Sequence, residues 1–301
     1  MLIHLGYHKT ATTWLQQRYF PQHSQLDFIG RHEELAPLII SPHGFDFDPK
    51  IAQDFFYPKI EQARQKNRIP VISGERLSGN PHSGGYDSKE IADRLKQVFP
   101  NAKILIMIRH QPDAILSNYK QYIRMGGICD LKRYMFPPQD GRIPLFRLEN
   151  LKYHKLAKYY AQLYGKENIK LIPYELFRAT PQAFLEELAA FIGIDPTVAF
   201  PFEEKVNLSL CDFSILLKRR VNRWHGNDSL FPITPRFPMI TNKLFEMIQI
   251  LDRQPVIRRY HAHFIEQIQN DIGHFYGESN QQLAEMFNLD LKRYHYCVEP
   301  I

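Results

Sequence analysis

The sequence predicts a parallel α/β sheet with helices on both faces, and three observations carry that prediction. Short apolar runs of strand length recur through the first two thirds of the 301 residues. Amphipathic segments of helix length separate them. The run Lys103–Ile108 (KILIMI) is apolar without alternation, as a strand covered on both faces must be. Strand–helix alternation of this kind closes most readily as a parallel sheet with crossover helices.

In chain order, Leu2–Leu5 reads as the first strand. Thr12–Phe20 reads as a helix stopped by Pro21. Ile69–Ser73 is a second strand, with Pro70 near its start and Gly74 at its end. Asp87 or Ser88 caps a helix with Ile91, Leu95 and Val98 on one face, ending near Pro100. Lys103–Ile108 follows, then a helix from about Pro112 to Met125, stopped by Gly126-Gly127. Leu145–Tyr164 reads as one long amphipathic helix closed by Gly165. Ile169–Pro173 is a further strand. Thr180-Pro181 opens a helix carrying Phe184, Leu185, Leu188 and Ile192, closed by Gly193. Beyond Pro201 the pattern is helical, interrupted by Pro232, Pro235 and Pro238. The chain is expected to be one domain, with an α/β core over 1–200 and a helical extension over 201–301 packed on the sheet.

Composition narrows the function classes. With 44% hydrophobic and 23% charged residues, disorder, collagen and coiled coil are excluded. No stretch of ~18 apolar residues predicts a membrane span. Cys129, Cys211 and Cys297 are few and far apart, which argues against a disulfide framework and for a reducing compartment. No signal-peptide pattern opens the sequence, and a cytoplasmic location is expected. The formal charge of +6 favours anionic ligands without choosing among them.

Ligands of parallel sheets bind at the carboxyl ends of the strands, so the residues just past each strand carry the chemistry. After the first strand comes Gly6-Tyr7-His8-Lys9-Thr10-Ala11-Thr12-Thr13-Trp14. A glycine, a lysine and three threonines at a helix start can cradle a phosphate. The nucleotide triphosphatase pattern G-x-x-x-x-G-K-[ST] is missing. Lys103–Ile108 leads into Arg109, where a metal-dependent phosphoryl-transfer enzyme would offer a carboxylate. Positive charge at both strand ends suits a polyanion handled without a metal. His261 and His263, two residues apart, cannot share a helix face, and no metal site is expected.

Four motifs in order resemble those of the sulfotransferases, enzymes that use 3′-phosphoadenosine 5′-phosphosulfate (PAPS). His8–Leu15 resembles their 5′-phosphosulfate loop, K-[ST]-G-T-T-x-L. Arg109–Tyr119 resembles the 3′-phosphate motif, an Arg after a strand with a Ser eight residues on. Ile172-Pro173-Tyr174-Glu175-Leu176, followed by Phe184–Gly193, looks like the Y-E-D-L strand end and F-L-G helix. Lys205-Val206-Asn207-Leu208-Ser209 is similar to a K-x-N-x-S stretch that closes over the nucleotide. Gly277–Leu291 has the look of the C-terminal end of bacterial members. Two departures stand out. Ala11 occupies the usual glycine position, so the loop is expected not to rely on positive φ there. Pro112 also comes one position late.

The resemblance implies a P-loop NTPase-like three-layer sandwich and assigns roles. Lys9 would stabilise the leaving phosphate. Lys9, Thr10, Ala11, Thr12, Thr13 and Trp14 would surround the 5′-phosphosulfate. Arg109 and Ser117 would hold the 3′-phosphate, Tyr174 would face the adenine, and Asn207 and Ser209 would close over it. Glu75, after the second predicted strand, is the first candidate for the general base and His82 the second. Glu75 could instead be a structural partner of Arg76 or Arg109. PAPS would be the co-substrate and PAP (3′-phosphoadenosine 5′-phosphate) the product, with no metal. The acceptor would be a hydroxyl or amine of a glycan or small metabolite, with neither nucleic acid nor a membrane span involved. Residues 31–58, 79–87, 126–142 and 219–239 would shape the acceptor pocket. The alternatives are a metal-dependent nucleotide kinase on a related fold, or a non-enzymatic polyanion-binding protein suggested by Lys218–Trp224 (KRRVNRW).

Overall fold

The structure is a computed structural model, and it describes residues 1–140, 143–196, 210–225, 238–258, 260 and 262–299. Its centre is a five-stranded sheet in the order β2-β3-β1-β4-β5, with every pairing parallel. The strands are β1 (Leu2–Gly6), β2 (Leu26–Gly30), β3 (Ile69–Ser73), β4 (Lys103–Ile108) and β5 (Ile169–Pro173). The predicted class is borne out.

Alternation along the strands sorts side chains into two cores, one on each face. Ile3, Leu5, Ile72, Ile104, Ile106, Ile108 and Leu171 belong to the larger core, together with Phe56, Leu95, Tyr119 and Tyr160. Those four come from helices Pro49–Gln65, Ser88–Val98, Gln111–Arg124 and Tyr153–Tyr164. Leu2, Val71, Leu105, Met107 and Ile172 face the other way, onto Leu15, Tyr19, Phe20, Phe184, Leu185 and Leu188. Because both faces are apolar, KILIMI cannot alternate.

Four differences from the predicted elements have local causes. Strand β2 escapes the sequence reading because it is an edge strand interrupted by Asp27, with a register shift between Phe28 and Gly30. Helix Pro49–Gln65 escapes it because of Pro58, which sits exposed on the solvent side. There the carbonyl left without its N–H partner can turn to water. Its buried stripe, Ala52, Phe56, Ile60 and Ala63, has helical spacing. Pro21 does not stop the first helix, which runs on through Phe20–Gln22. A π turn at Leu15–Tyr19 precedes it, and the wider turn shifts the carbonyl a proline ring would otherwise strike. The long helix predicted over Leu145–Tyr164 is a 3₁₀ turn, Leu148–Leu151, and a helix, Tyr153–Tyr164. Lys152, at φ −77° and ψ 74°, breaks them apart.

The later helices Asp212–His225, Pro238–Asp252, Phe264–Ile272 and Gly277–Phe287 tie back to the core through polar contacts. Lys120 pairs with Asp212 at 2.9 Å. Asn222 donates to the carbonyls of Ile123 and Gly127, both at 2.8 Å. Gln111 Nε2 donates to Asn280 Oδ1 at 2.6 Å. Part of the KRRVNRW segment is a packed helix face, while Arg220 and Arg223 are exposed. Lys218 is buried over the Phe245 ring at 4.4 Å, and Arg219 donates to the Tyr119 hydroxyl at 3.2 Å.

Candidate active site

The sheet order decides which loops meet. Strand β1 lies between β3 and β4, so the segments after Gly6, Ser73 and Ile108 leave the carboxyl edge side by side. The chain visits β2 and β3 on one side of β1, then crosses to β4 on the other. A reversal of that kind opens a crevice at the strand ends.

The loop after β1 begins with Tyr7 N–H donating to Met107 O at 2.9 Å. Thr10 Oγ1 then donates back to Tyr7 O at 2.6 Å. Lys9 and Ala11, on either side of Thr10, both adopt left-handed conformations, at φ 67° and 63°. The expectation that Ala11 would avoid positive φ is therefore overturned. The turn needs the left-handed region whatever residue stands there, and alanine adopts it at a cost of roughly 1–2 kcal/mol. Left-handed residues alternating with ordinary ones turn successive N–H groups toward one side, a concavity suited to an anion.

Gly6 is the floor of this cradle. A Cβ there would stand 2.6 Å from Thr12 Oγ1, 2.7 Å from Thr10 Oγ1 and 3.3 Å from His4 Nε2. Thr12 Oγ1 and His4 Nε2 are buried without a hydrogen-bond partner. Unpaired buried polar atoms, alternating left-handed backbone and nearby cations fit a phosphosulfate. Thr13 is exposed at the same helix start.

Arg109 follows β4 and spans the crevice. Its Nη1 donates to the Lys9 carbonyl at 3.2 Å, and its guanidinium lies 5.2 Å from the centre of the Tyr174 ring. Tyr174 stacks on Phe177 at 6.1 Å, and Trp14 meets Phe177 at 5.1 Å. Lys9, Arg109, Tyr174 and Trp14 are thus brought to one place. Ser117 is half-buried about two turns into helix Gln111–Arg124. Asn207 and Ser209 lie outside the described residues.

The backbone carrying Arg109 is held from three directions. Tyr153 OH donates to the Arg109 carbonyl at 2.6 Å. The next amide, His110 N–H, donates to Glu175 Oε1 at 2.9 Å, and Glu175 Oε2 accepts from Tyr296 OH at 2.9 Å. His110 Nδ1 pairs with Asp113 Oδ2 at 2.6 Å. These supports have no local sequence signal, since Tyr296 lies 121 residues from Glu175.

Glu75 begins a 3₁₀ turn just past β3 and pairs with neither arginine. Arg76 pairs with Asp87 at 2.8 Å, while Glu75 lies 3.3 Å from His8 Nδ1. Burial alone would raise the Glu75 carboxyl's pKa. The His8 hydrogen bond and the charges of His8 and Lys9 outweigh burial and hold it below the ordinary value. Partial desolvation lowers the Lys9 ammonium's pKa, Glu75 opposes this, and Arg124 and Arg109 lower it further. His82 is depressed to about 4 by burial, then by His8, Arg76 and Lys9, so its ring is neutral at neutral pH. Both candidate bases can therefore accept a proton, and both lie within electrostatic reach of Lys9.

A cavity of about 640 Å³ is lined by Asp130, Lys132, Arg133, Phe136, Arg219 and Phe264, among others. It joins two of the predicted acceptor segments, and its lining includes none of Lys9, Glu75, His82 or Arg109.

Residues 89–197 match the sulfotransferase family model. The resemblance read from the motifs is borne out, and two of the four, Arg109–Tyr119 and the Tyr174 strand end with its following helix, fall within the matched stretch. No curated protein matches the chain by sequence. Among solved structures it is similar to a sulfotransferase from Alicyclobacillus acidocaldarius, at 16% identity over 87% of this chain and 97% of that one, with a TM-score of 0.49. It is also similar to the sulfotransferase domain from the curacin biosynthetic pathway, at 15% identity over 90% and 96%, TM-score 0.40. A third is mouse sulfotransferase SULT7A1 complexed with PAP, at 14% identity over 97% and 86%, TM-score 0.40. Among the described residues no helix is long and apolar enough to cross a membrane.

Proposed function

We propose that this protein is a PAPS-dependent sulfotransferase acting on a hydroxyl or amine of a glycan or small metabolite in the cytoplasm. The carrying observation is that the Arg109 guanidinium is fixed on the Lys9 main-chain carbonyl at 3.2 Å, while the charges of Arg109 and Glu75 both act on the Lys9 ammonium. Two cations on one wall and an ionised carboxylate on another are what sulfuryl transfer asks of a protein.

In that reaction the bond between sulfur and the bridging phosphate oxygen breaks, and a bond from sulfur to the acceptor oxygen or nitrogen forms. Negative charge grows on the bridging oxygen, and the Lys9 ammonium stabilises it. Thr10, Ala11, Thr12 and Thr13 bind the 5′-phosphate, and Arg109 and Ser117 the 3′-phosphate. Tyr174 and Trp14 offer ring faces to the adenine end. The acceptor's proton passes to Glu75, with His82 the second candidate. A chain that folds as one unit would draw its acceptor wall from the helical extension.

Calorimetric titration tests the reading. PAP without metal should bind at least ~10-fold more tightly than ADP, because one charged hydrogen-bonded contact is worth about 1.5–3 kcal/mol. A preference for ATP with Mg²⁺ would favour the kinase alternative, and no nucleotide binding at all would favour a polyanion-binding role.

A further inference from the structure

We infer that His274, Cys297 and Glu299 form a site for a borderline-soft divalent cation of the zinc type, clamping the C-terminal segment to the core. The inference goes beyond sulfuryl transfer and does not rest on it. One ligand atom from each residue lies within 4.8 Å of the other two. Cys297 Sγ stands 3.8 Å from His274 Nδ1, and the Glu299 carboxylate also reaches that nitrogen. Nitrogen and sulfur ligands of one tetrahedral zinc stand roughly 3.5 Å apart, close to the His274–Cys297 separation, and the part-exposed Glu299 carboxylate need only swing back from the imidazole to admit the ion. A single imidazole nitrogen has one proton or one lone pair to offer, yet a thiol and a carboxylate both converge on it. A cation at their centre takes an electron pair from all three.

The backbone is already set to hold such an ion. His274 lies in the turn between helices Phe264–Ile272 and Gly277–Phe287. Its carbonyl accepts from Gly277 N–H at 2.8 Å, and the Gly277 carbonyl accepts from Glu299 N–H at 3.4 Å. Asn280 Nδ2 donates to the Cys297 carbonyl at 2.8 Å. A Cβ on Gly277 would come within 2.7 Å of the Glu299 side chain, so a glycine there lets the carboxylate lie across the helix start. The His274 side chain is 80% exposed and that of Glu299 42%. An ion can therefore enter from solvent, leaving water at a fourth position. A mixed nitrogen, sulfur and oxygen set favours zinc-type ions over magnesium or calcium. The pattern escaped sequence reading because 22 residues separate His274 from Cys297, with none of the short paired spacings that mark zinc motifs.

The test is a Co²⁺ titration of the full chain, without an affinity tag, after chelator treatment. One equivalent should bind and give a sulfur-to-cobalt charge-transfer band that Zn²⁺ abolishes. Cys297→Ser should remove the band, and His274→Ala should weaken binding at least ~10-fold. Cys129→Ser should change nothing. Circular dichroism of each variant separates lost ligation from lost folding, and Gly277→Ala gives a second route by displacing Glu299 with all three ligands kept. No charge-transfer band in the parent protein, a band that survives Cys297→Ser, or unchanged affinity in His274→Ala would overturn the inference. PAP titration of the same samples reports on the nucleotide site separately.

Discussion

Arg109 Nη1 donates to the main-chain carbonyl of Lys9 at 3.2 Å, tying the two strand-end loops that flank the crevice across 100 residues of sequence. Arg109 therefore does two things, supplying charge and fixing the turn that carries Lys9. Replacing it with alanine removes both. PAP affinity should fall by about 2 kcal/mol, or ~30-fold. Arg109→Lys should recover only part of this, because an ammonium cannot reproduce the fork of the guanidinium. Calorimetry on the two variants checks the order, and equal affinity in Arg109→Ala and the parent would remove Arg109 from the site.

The two left-handed residues of the loop give a paired prediction. Ala11→Gly relieves backbone strain, partly offset by the greater freedom of glycine in the unfolded chain. The net expectation is a gain of up to ~1 kcal/mol with turnover kept. Lys9→Gly should likewise spare stability, while turnover falls by at least ~100-fold through loss of the ammonium. Urea unfolding and sulfuryl-transfer assays read the two effects separately.

With Glu75 as the proposed base, its carboxyl sets the acid side of the pH profile. Its carboxyl titrates below the ordinary 4.5, so the base is fully formed through neutral pH and is lost only as pH falls through that depressed pKa. His8→Ala removes the hydrogen bond and charge that oppose burial, and the acid limb of kcat/KM should move up. Glu75→Gln should lower kcat by at least ~100-fold and His82→Gln by less than ~10-fold. The reverse order would make His82 the base.

Stability should fall in acid because of His4. The ring is fully buried against Ser73 Oγ at 2.7 Å, and burial depresses its pKa from 6.5 to about 3. The unfolded chain therefore takes up a proton first. Its contribution is intact above pH 6.5 and is lost progressively between there and about 3, by an amount on the order of a few kcal/mol. Unfolding free energies from pH 7 to 4 should decline, and His4→Gln should flatten that decline. An unchanged slope in the variant would shift the effect to another group.

How far this was legible in the sequence differs by element. Strands β1, β3, β4 and β5 were readable because both faces demand apolar residues. Edge strand β2 was not, since Asp27 breaks its run. Helix Pro49–Gln65 hid behind Pro58 although its buried stripe was periodic. In the site, Lys9, Glu75 and Arg109 were visible as charged residues after strands. What the sequence could not display was pairing. No motif shows that His8 stands on Glu75. Arg76, one of the two alternative partners for Glu75, holds Asp87 instead. Loop conformation also overrode residue preference at Ala11.

The Glu175 carboxylate, shared between the His110 amide and the Tyr296 hydroxyl, has a consequence for how the site is made. Emerging from a ribosome, Arg109, His110 and Glu175 appear long before their hydroxyl partner. The sheet can pair once β5 is out, yet the Arg109 end stays half-anchored until synthesis reaches Tyr296. A chain stopped a few residues short would keep every residue assigned to the nucleotide and acceptor, and would fold around a crevice whose cationic wall had lost its last brace.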